Sequence, residues 1–305
     1  MNRITTKYGV LNGVATIGKY NSGEYEYFIL NEKSELNISG NKFIPLYEEV
    51  KERRKELPSV RFYKNGNIKS LALNEQITVN TDVGDFSAEK IVFYEDGKIK
   101  RLFPLDGKLS AYWTEEDEYK LANKYIIHTR KVDFSSKIIS LFFFKSGKIK
   151  SVTLWSKERI KLKIKDELIN IRIGLSFYED GEISSCEPAI PTPIKTPIGI
   201  IDAFDKSAIG IHGEDNSLKF NENGSIKSLI TSTNKIEVTN REGEKEIYSS
   251  KTIKKYVGDI NTTVPVCIEF FENDIKINED KYKINENSFE IYTLVGKTLT
   301  LKGDL

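Results

Sequence analysis

The sequence has few of the residues on which most catalytic and metal sites depend. Its 305 residues include two histidines, His128 and His212, and two cysteines, Cys186 and Cys267. Neither histidine has a second one at the spacing typical of metal ligands, and two cysteines form neither a zinc quartet nor a disulfide framework. It also lacks a Gly-x-Ser-x-Gly nucleophile motif, a phosphate-binding loop and a dinucleotide fingerprint. The sequence therefore predicts no metal site, no cofactor and reduced thiols.

A large net charge and long apolar runs are also missing. Lys and Arg number 46 and Asp and Glu 45, giving a formal charge of +1, so the chain as a whole has no field that would hold a polyanion. No run of about 18 apolar residues could span a bilayer, and the opening residues lack the apolar core of a signal peptide. We therefore expect a cytoplasmic protein without a nucleic acid or membrane partner.

What the sequence does contain is a repeated β-hairpin. Between Val60 and Leu71, a run of β-branched and aromatic residues meets Asn65-Gly66 and is followed by a second apolar run. Asn-Gly is typical of a two-residue type I′ loop, because that loop needs positive φ at both central residues. Close copies occur at 91–102, 141–152, 175–186 and 218–229, with a weaker copy at 15–23 and a degenerate one at 268–274.

A two-residue loop fixes how the flanking strands pair. The pairs expected for the first clear copy are Tyr63 with Ile68, Phe62 with Lys69 and Val60 with Leu71. One face of the sheet then carries Phe62 and Leu71, and the other carries Tyr63 and Ile68. Because the second face is rich in aromatic residues, it is the candidate binding surface. Its candidate residues are Tyr63, Tyr94, Phe144 and Tyr178.

These repeats predict an all-β fold of antiparallel hairpins in an elongated open meander. A β-propeller is the alternative, since units of about 40 residues and four strands suit its blades. Periodic apolar residues predict a short helix near 46–57, and Thr114 followed by acidic residues predicts another near 115–125. We expect a hairpin-repeat region at 1–187, a proline-rich connection at 188–197 and a second β region at 198–305.

Three of the hairpin cores also resemble a known family. The residues Phe-Tyr-Lys-Asn-Gly-Asn-Ile-Lys at 62–69, and their counterparts at 93–100 and 177–184, look like the variant MORN repeats of bacterial proteins often labelled YwqK-type antitoxins. The resemblance is confined to the hairpin cores, and the spacing between repeats differs from that of the family. It implies an elongated sheet of hairpins with a protein-binding role.

Two classes of function remain open. The first is a non-catalytic binding or scaffold protein that meets another protein through its aromatic face. The second is a hydrolase-type enzyme with a site made of carboxylates and a histidine near 202–215. Its candidate residues are Asp202, Asp205, His212, Glu214 and Asp215. We place the binding protein first, because the chain has few good nucleophiles and bases; the oligomeric state stays open.

Overall fold

A computed structural model describes residues 3–164, 167–208, 214–254 and 261–294 of the chain. Strands dominate it. The strands of the first half are β1 Ile4–Thr6, β2 Gly9–Leu11, β3 Val14–Lys19, β4 Tyr25–Leu30, β5 Leu36–Ile38, β6 Asn41–Phe43, β7 Val60–Phe62, β8 Ile68–Thr81, β9 Gly84–Phe93, β10 Ile99–Phe103, β11 Lys124–His128, β12 Asp133–Phe143 and β13 Ile149–Leu154. Those of the second half are β14 Ile160–Ile164, β15 Glu167–Phe177, β16 Ile183–Pro188, β17 Thr192–Thr196, β18 Gly199–Ala203, β19 Leu218–Phe220, β20 Ile226–Thr231, β21 Asn234–Thr239, β22 Lys245–Ser249, β23 Lys251–Lys254, β24 Asn261–Val264, β25 Val266–Phe270, β26 Asp274–Ile277, β27 Asp280–Lys283 and β28 Ser288–Thr293.

The chain divides into two compact units. Unit 1 comprises Met1–Ile160 with Ser176–Glu182, and unit 2 comprises Lys161–Leu175 with Ile183–Leu305. The division does not fall at the proline-rich residues 188–197. Five of these residues form β17, which pairs with β18 in an antiparallel hairpin of unit 2. Pro193 therefore lies in a short two-stranded sheet, where a missing N–H donor is tolerated, and Pro191 and Pro197 flank β17, whereas Pro188 ends β16.

Each unit is built on an antiparallel meander, which confirms the all-β fold class. The strand order in unit 1 is β3, β4, β7, β8, β9, β10, β12 and β13. In unit 2 it is β16, β19, β20, β25, β26 and β27. A single sheet of eight hydrogen-bonded strands excludes the β-propeller for unit 1, because a propeller blade is a separate four-stranded sheet.

The loop between β7 and β8 has three residues, not the two that Asn65-Gly66 predicts. The Gly66 N–H donates to the Tyr63 carbonyl at 2.9 Å, and the Tyr63 N–H donates to the Asn67 carbonyl at 2.7 Å. Of the three loop residues, only Gly66 has a positive φ, +77°. The loop is therefore a type I turn followed by a left-handed glycine. The Asn65 side-chain oxygen accepts the Asn67 N–H at 2.9 Å, which favours this turn.

A β-bulge follows the loop and restores the predicted register beyond it. The observed pairs are Val60 with Leu71, Arg61 with Ser70 and Phe62 with Ile68. The outermost pair is confirmed, but both pairs predicted next to the loop are wrong. Lys69 has no partner on β7 and is the extra residue of the bulge. As a result, Ile68 shares a face with Phe62, and Lys69 shares the opposite face with Tyr63.

The same loop and bulge recur in other hairpins. The extra residue is Lys100 in β10, Lys150 in β13 and Lys227 in β20. The degenerate copy at 268–274 lacks the glycine. Without a residue suited to the left-handed position, a shorter loop without the bulge is expected. There the Phe271 N–H donates to the Asp274 carbonyl at 2.9 Å across a two-residue loop, and β25 pairs with β26 without a bulge.

One row of apolar side chains crosses the sheet of unit 1 on its inner face. The row consists of Phe28, Val60, Leu71, Ile91, Leu102, Leu141 and Val152, each 0% exposed. Near the loops, Tyr8 contacts Phe62 and Phe43 contacts Phe93, with ring centroids 6.5 and 6.4 Å apart. The small sheets β1–β2 and β5–β6 therefore help to cover this inner face.

Unit 2 has a matching row, and it explains Cys186. The row consists of Cys186, Leu218, Leu229, Ile268 and Ile277, none more than 1% exposed. Cys186 stands where the other hairpins carry an aliphatic residue, as expected of a small core side chain. Burial raises the pKa of its thiol, so Cys186 is not an available nucleophile.

The described part of the chain contains one α-helix, α1 Glu115–Leu121. It starts at the predicted cap, where Thr114 and Asp117 form a reciprocal capping box. Residues 46–57 form turns rather than the predicted helix. Lys51 and Glu56 have φ of +45° and +55° there, which a right-handed helix cannot contain. In the described residues no helix has the length and apolar character needed to cross a bilayer.

Candidate binding face

The outer face of the unit 1 sheet lies opposite the buried row and carries aromatic and cationic side chains. The row of residues on this side of the strands is Tyr27, Arg61, Ser70, Val92, Arg101, Phe142 and Ser151. Ser70, Phe142 and Ser151 are at most 8% exposed, and the other four are half-buried. Arg61 lies over the Tyr27 ring at 5.1 Å, and Arg101 lies over the Phe142 ring at 4.7 Å. We call this surface the outer face. It combines π-systems with cations stacked on them.

The predicted aromatic residues stand at one edge of this face, next to the loops. Tyr63, Tyr94 and Phe144 each precede a loop and are half-buried, as is Tyr178 at the same position of the next copy. In the structure, Tyr63, Tyr94 and Phe144 therefore lie on one face of unit 1, as predicted from the sequence. Regular alternation along the strands predicts rings on an open face of the sheet, but each ring is partly covered.

The bulge explains why these rings are partly covered. In each hairpin, the extra lysine lies over the aromatic residue that precedes the loop. The ammonium nitrogen is 5.6 Å from the ring centroid for Lys69 on Tyr63, 5.5 Å for Lys100 on Tyr94 and 5.8 Å for Lys150 on Phe144. The Lys150 ammonium lies closer still to the Phe142 ring, at 4.5 Å, and that of Lys100 is 5.9 Å from the same ring. These three lysines were not among the residues predicted from the sequence. We call Lys69, Lys100 and Lys150 the bulge lysines.

The tyrosine hydroxyls connect neighbouring hairpins. Tyr63 donates to the Phe93 carbonyl at 2.8 Å, and Tyr94 donates to the Phe143 carbonyl at 2.8 Å. Tyr20 does the same to the Phe62 carbonyl at 2.9 Å. These residues therefore stabilise the sheet in addition to any role in binding. Burial, with the charge of Glu95 nearby, also raises the pKa of Tyr63.

Removing these hydroxyls is expected to have a modest cost. Tyr63→Phe and Tyr94→Phe each lose one hydrogen bond to a backbone carbonyl and should lower the free energy of unfolding by about 0.5–1.5 kcal/mol. Urea unfolding measures this. Tyr112→Phe is the matched control, because Tyr112 is 79% exposed and should change stability by less than about 0.5 kcal/mol. Equal changes in the free energy of unfolding at Tyr63, Tyr94 and Tyr112 would contradict a structural role for the first two hydroxyls.

The hairpins that carry the bulge lysines differ in charge from the whole chain. The three hairpins at 60–71, 91–102 and 141–152 contain nine Lys and Arg residues but two Asp and Glu residues. Among the described residues, no carboxylate lies within 4.0 Å of a bulge lysine. Arg61 pairs with Glu26 of β4 at 3.5 Å, so the positive charge of this surface that lacks a carboxylate partner among the described residues includes the bulge lysines.

A groove beside the loops is less suited to binding. It has a volume of about 430 Å³ and is bordered by Asp96, Lys98 and Lys145. Its floor includes Phe93 and Phe143, but each is only 2% exposed. The Lys98 ammonium is already used by the Lys145 carbonyl at 3.0 Å. The groove therefore offers a ligand neither open rings nor a concentrated charge.

Three of the four carboxylates predicted for an enzyme site have separate partners. Asp202 accepts a hydrogen bond from Thr233 at 3.5 Å, and Asp205 accepts the Ser207 N–H at 2.8 Å. Asp215 is 92% exposed at its side chain and pairs with Lys219 at 3.2 Å, while Glu214 is half-buried. His212 lies outside the described residues. Within them, no three His, Cys, Asp or Glu side chains form a group that could hold a metal ion.

A buried ion cluster in unit 1 was not foreseen at all. Arg53 contacts Glu89 of β9 at 2.6 Å and Glu118 of α1 at 2.8 Å, and these three side chains are at most 10% exposed. Glu118 also accepts the Trp113 indole N–H at 2.6 Å and the Gly107 N–H at 2.8 Å. Burial alone would raise the pKa of Glu118, but the hydrogen bond and charge of Arg53, together with these two hydrogen bonds, outweigh burial and lower the pKa. The cluster holds two loop segments against the sheet.

Unit 2 has a smaller buried pair. Glu187, 1% exposed at its side chain, lies 3.4 Å from Arg172 and accepts the Ser217 N–H at 2.7 Å. Arg172 also donates to the Asp205 carbonyl at 2.6 Å. Burial raises the pKa of Glu187. The backbone of Asp205 thus belongs to a structural cluster.

Comparison with known proteins finds no matching family model, curated protein or solved structure.

Proposed function

We propose that this chain is a non-catalytic binding protein whose outer face in unit 1 holds an acidic segment of another protein. The observation that supports this most is the set of bulge lysines. Each is held over an aromatic ring, and none has a carboxylate partner among the described residues. The protein-binding role implied by the resemblance to variant MORN repeats agrees with the proposal.

A lysine that is already held in place binds a carboxylate at a lower entropic cost than a mobile one. A lysine stem that lies on a ring has less rotational freedom than one in water, so less entropy is lost when a carboxylate binds. Uncompensated positive charge also attracts an acidic partner during encounter, an effect that salt weakens. The aromatic rings add apolar contact area beside the charges.

The test uses the lysines rather than the tyrosines, because the tyrosine hydroxyls support the sheet. The variant Lys69→Gln/Lys100→Gln/Lys150→Gln removes three charges and keeps most of each stem. At roughly 0.5 kcal/mol for each exposed charge pair, binding of an acidic ligand should weaken about tenfold. Fluorescence anisotropy with a labelled poly-L-glutamate peptide measures the Kd.

Lys227→Gln is the matched control. Lys227 is also the extra residue of a β-bulge, but the residue before its loop is Asn221 instead of an aromatic. Its Kd should stay within about twofold of wild type, and half-molar salt should abolish wild-type binding. Unchanged binding by the triple variant would refute the proposal. Unfolding curves of both variants establish that the fold is intact.

A further inference from the structure

We infer that the acidic segment binds as a polyproline II helix with Asp or Glu at every third residue. This rests on the proposed function and specifies the ligand of the same surface. It follows from the regular position of the bulge lysines in the sheet.

The bulge lysines are evenly spaced along the sheet. They lie in β8, β10 and β13, and the strands follow one another in the order β8, β9, β10, β12, β13. Two strand spacings therefore separate each lysine from the next. At about 4.8 Å between neighbouring strands, this places the Cα atoms of successive lysines about 9.6 Å apart. All three occupy the same position after the loop, so they form a line across the strands.

A ligand must present its carboxylates at the same interval and on one side. A polyproline II helix has three residues per turn and a rise of about 3.1 Å, so every third side chain points the same way at about 9.3 Å. In an extended strand, side chains on one face recur at about 6.6 Å or 13 Å, and neither interval fits. An α-helix offers every seventh residue at about 10.5 Å, which accumulates a mismatch of nearly 2 Å over two steps.

The aromatic rings recur at the same interval as the lysines. Tyr63, Tyr94 and Phe144 belong to the same three hairpins, and each lies under its own bulge lysine. Aromatic residues are the usual contacts of a polyproline II ligand, whose conformation is largely formed before binding. A segment such as Glu-Pro-Pro-Glu-Pro-Pro-Glu would place carboxylates on the lysines and proline rings beside the aromatics.

Labelled synthetic peptides test the spacing directly. The first is (Glu-Pro-Pro)3; the second has the same composition with its three glutamates adjacent; the third is an alanine-rich helix with glutamate at every seventh residue. With wild-type protein, we expect the first peptide to bind about tenfold more tightly than either of the others. The triple lysine variant should lose this preference, whereas Lys227→Gln should keep it.

The possible results separate this inference from the proposed function. Equal binding of the first two peptides contradicts the three-residue spacing but leaves an acidic ligand in place. Tighter binding of the helical peptide contradicts the polyproline II conformation. Absence of binding by every acidic peptide contradicts both, as does tighter binding of an oligothymidylate, which would assign the outer face to nucleic acid.

Discussion

Replacing Arg53 with alanine is expected to lower the free energy of unfolding by about 3–5 kcal/mol. Arg53 donates to both oxygens of Glu89 and to both oxygens of Glu118, at 2.6–3.2 Å. Without the guanidinium, Glu118 loses its cation and Glu89 keeps only Arg54, at 4.0 Å, while both carboxylates are at most 10% exposed. The loss is large because the remaining charges stay buried, not because the ion pair itself is strong.

Tryptophan fluorescence during urea unfolding reports this loss in the relevant unit. Both tryptophans of the chain, Trp113 and Trp155, belong to unit 1. Lys51→Ala is the control, since Lys51 is an exposed cation two residues away and should have an effect below about 0.5 kcal/mol. A triple Arg53→Met/Glu89→Gln/Glu118→Gln variant should recover part of the stability. A loss below 1 kcal/mol in Arg53→Ala would show that the cluster is solvated.

The contribution of Glu118 to the pH dependence of stability should change sign in the same variant. In wild type the pKa of Glu118 is lowered, so its contribution is present above the ordinary value of about 4.3 and is lost as the pH falls through the folded-state pKa. In Arg53→Ala, burial without the guanidinium raises the pKa of Glu118 instead. Its folded form then gains stability as the pH falls from 7 towards 4. Urea unfolding of wild type and of Arg53→Ala, measured between pH 7 and pH 4, distinguishes the two directions of the Glu118 contribution.

The sequence contained a signal for the bulge that alternation alone overlooks. In the first clear hairpin, Ile68 and Leu71 are both 0% exposed, although they are three residues apart on one strand. Regular alternation puts residues three apart on opposite faces, so two buried residues at this spacing require an extra residue between them. The copies repeat the spacing with an aliphatic residue or cysteine. Assuming regular pleating placed Ile68 on the wrong face and left Lys69 out of the candidate site.

The turns at 46–57 could not be predicted from local pattern. Leu46, Val50 and Leu57 have helical spacing, but Arg53 is held by partners 36 and 65 residues away in the chain. Long-range ion pairs of this kind override local propensity, and no pattern in one sequence reveals them. The helix at α1 was predictable because its capping residues are local.

The last prediction separates the buried row from the outer face. Leu102 is 0% exposed and pairs with Ile91 on one side and Leu141 on the other. Leu102→Ala leaves a cavity in the middle of this row and should lower the free energy of unfolding by about 2–5 kcal/mol. Leu102→Met, which conserves volume, should cost less than about 1.5 kcal/mol. Urea unfolding followed by tryptophan fluorescence measures both.

The same variant should keep its ligand. Lys100 and Arg101, the two residues before Leu102, face outward, so the cavity forms beneath the outer face without removing a charge from it. At a temperature where the variant remains folded, its Kd for (Glu-Pro-Pro)3 should lie within about twofold of wild type. Lys100→Gln should do the opposite, weakening binding with little change in stability. If Leu102→Ala and Lys100→Gln weaken binding equally while both stay folded, the inner and outer faces do not act separately, and the lysines cannot be assigned to ligand contact.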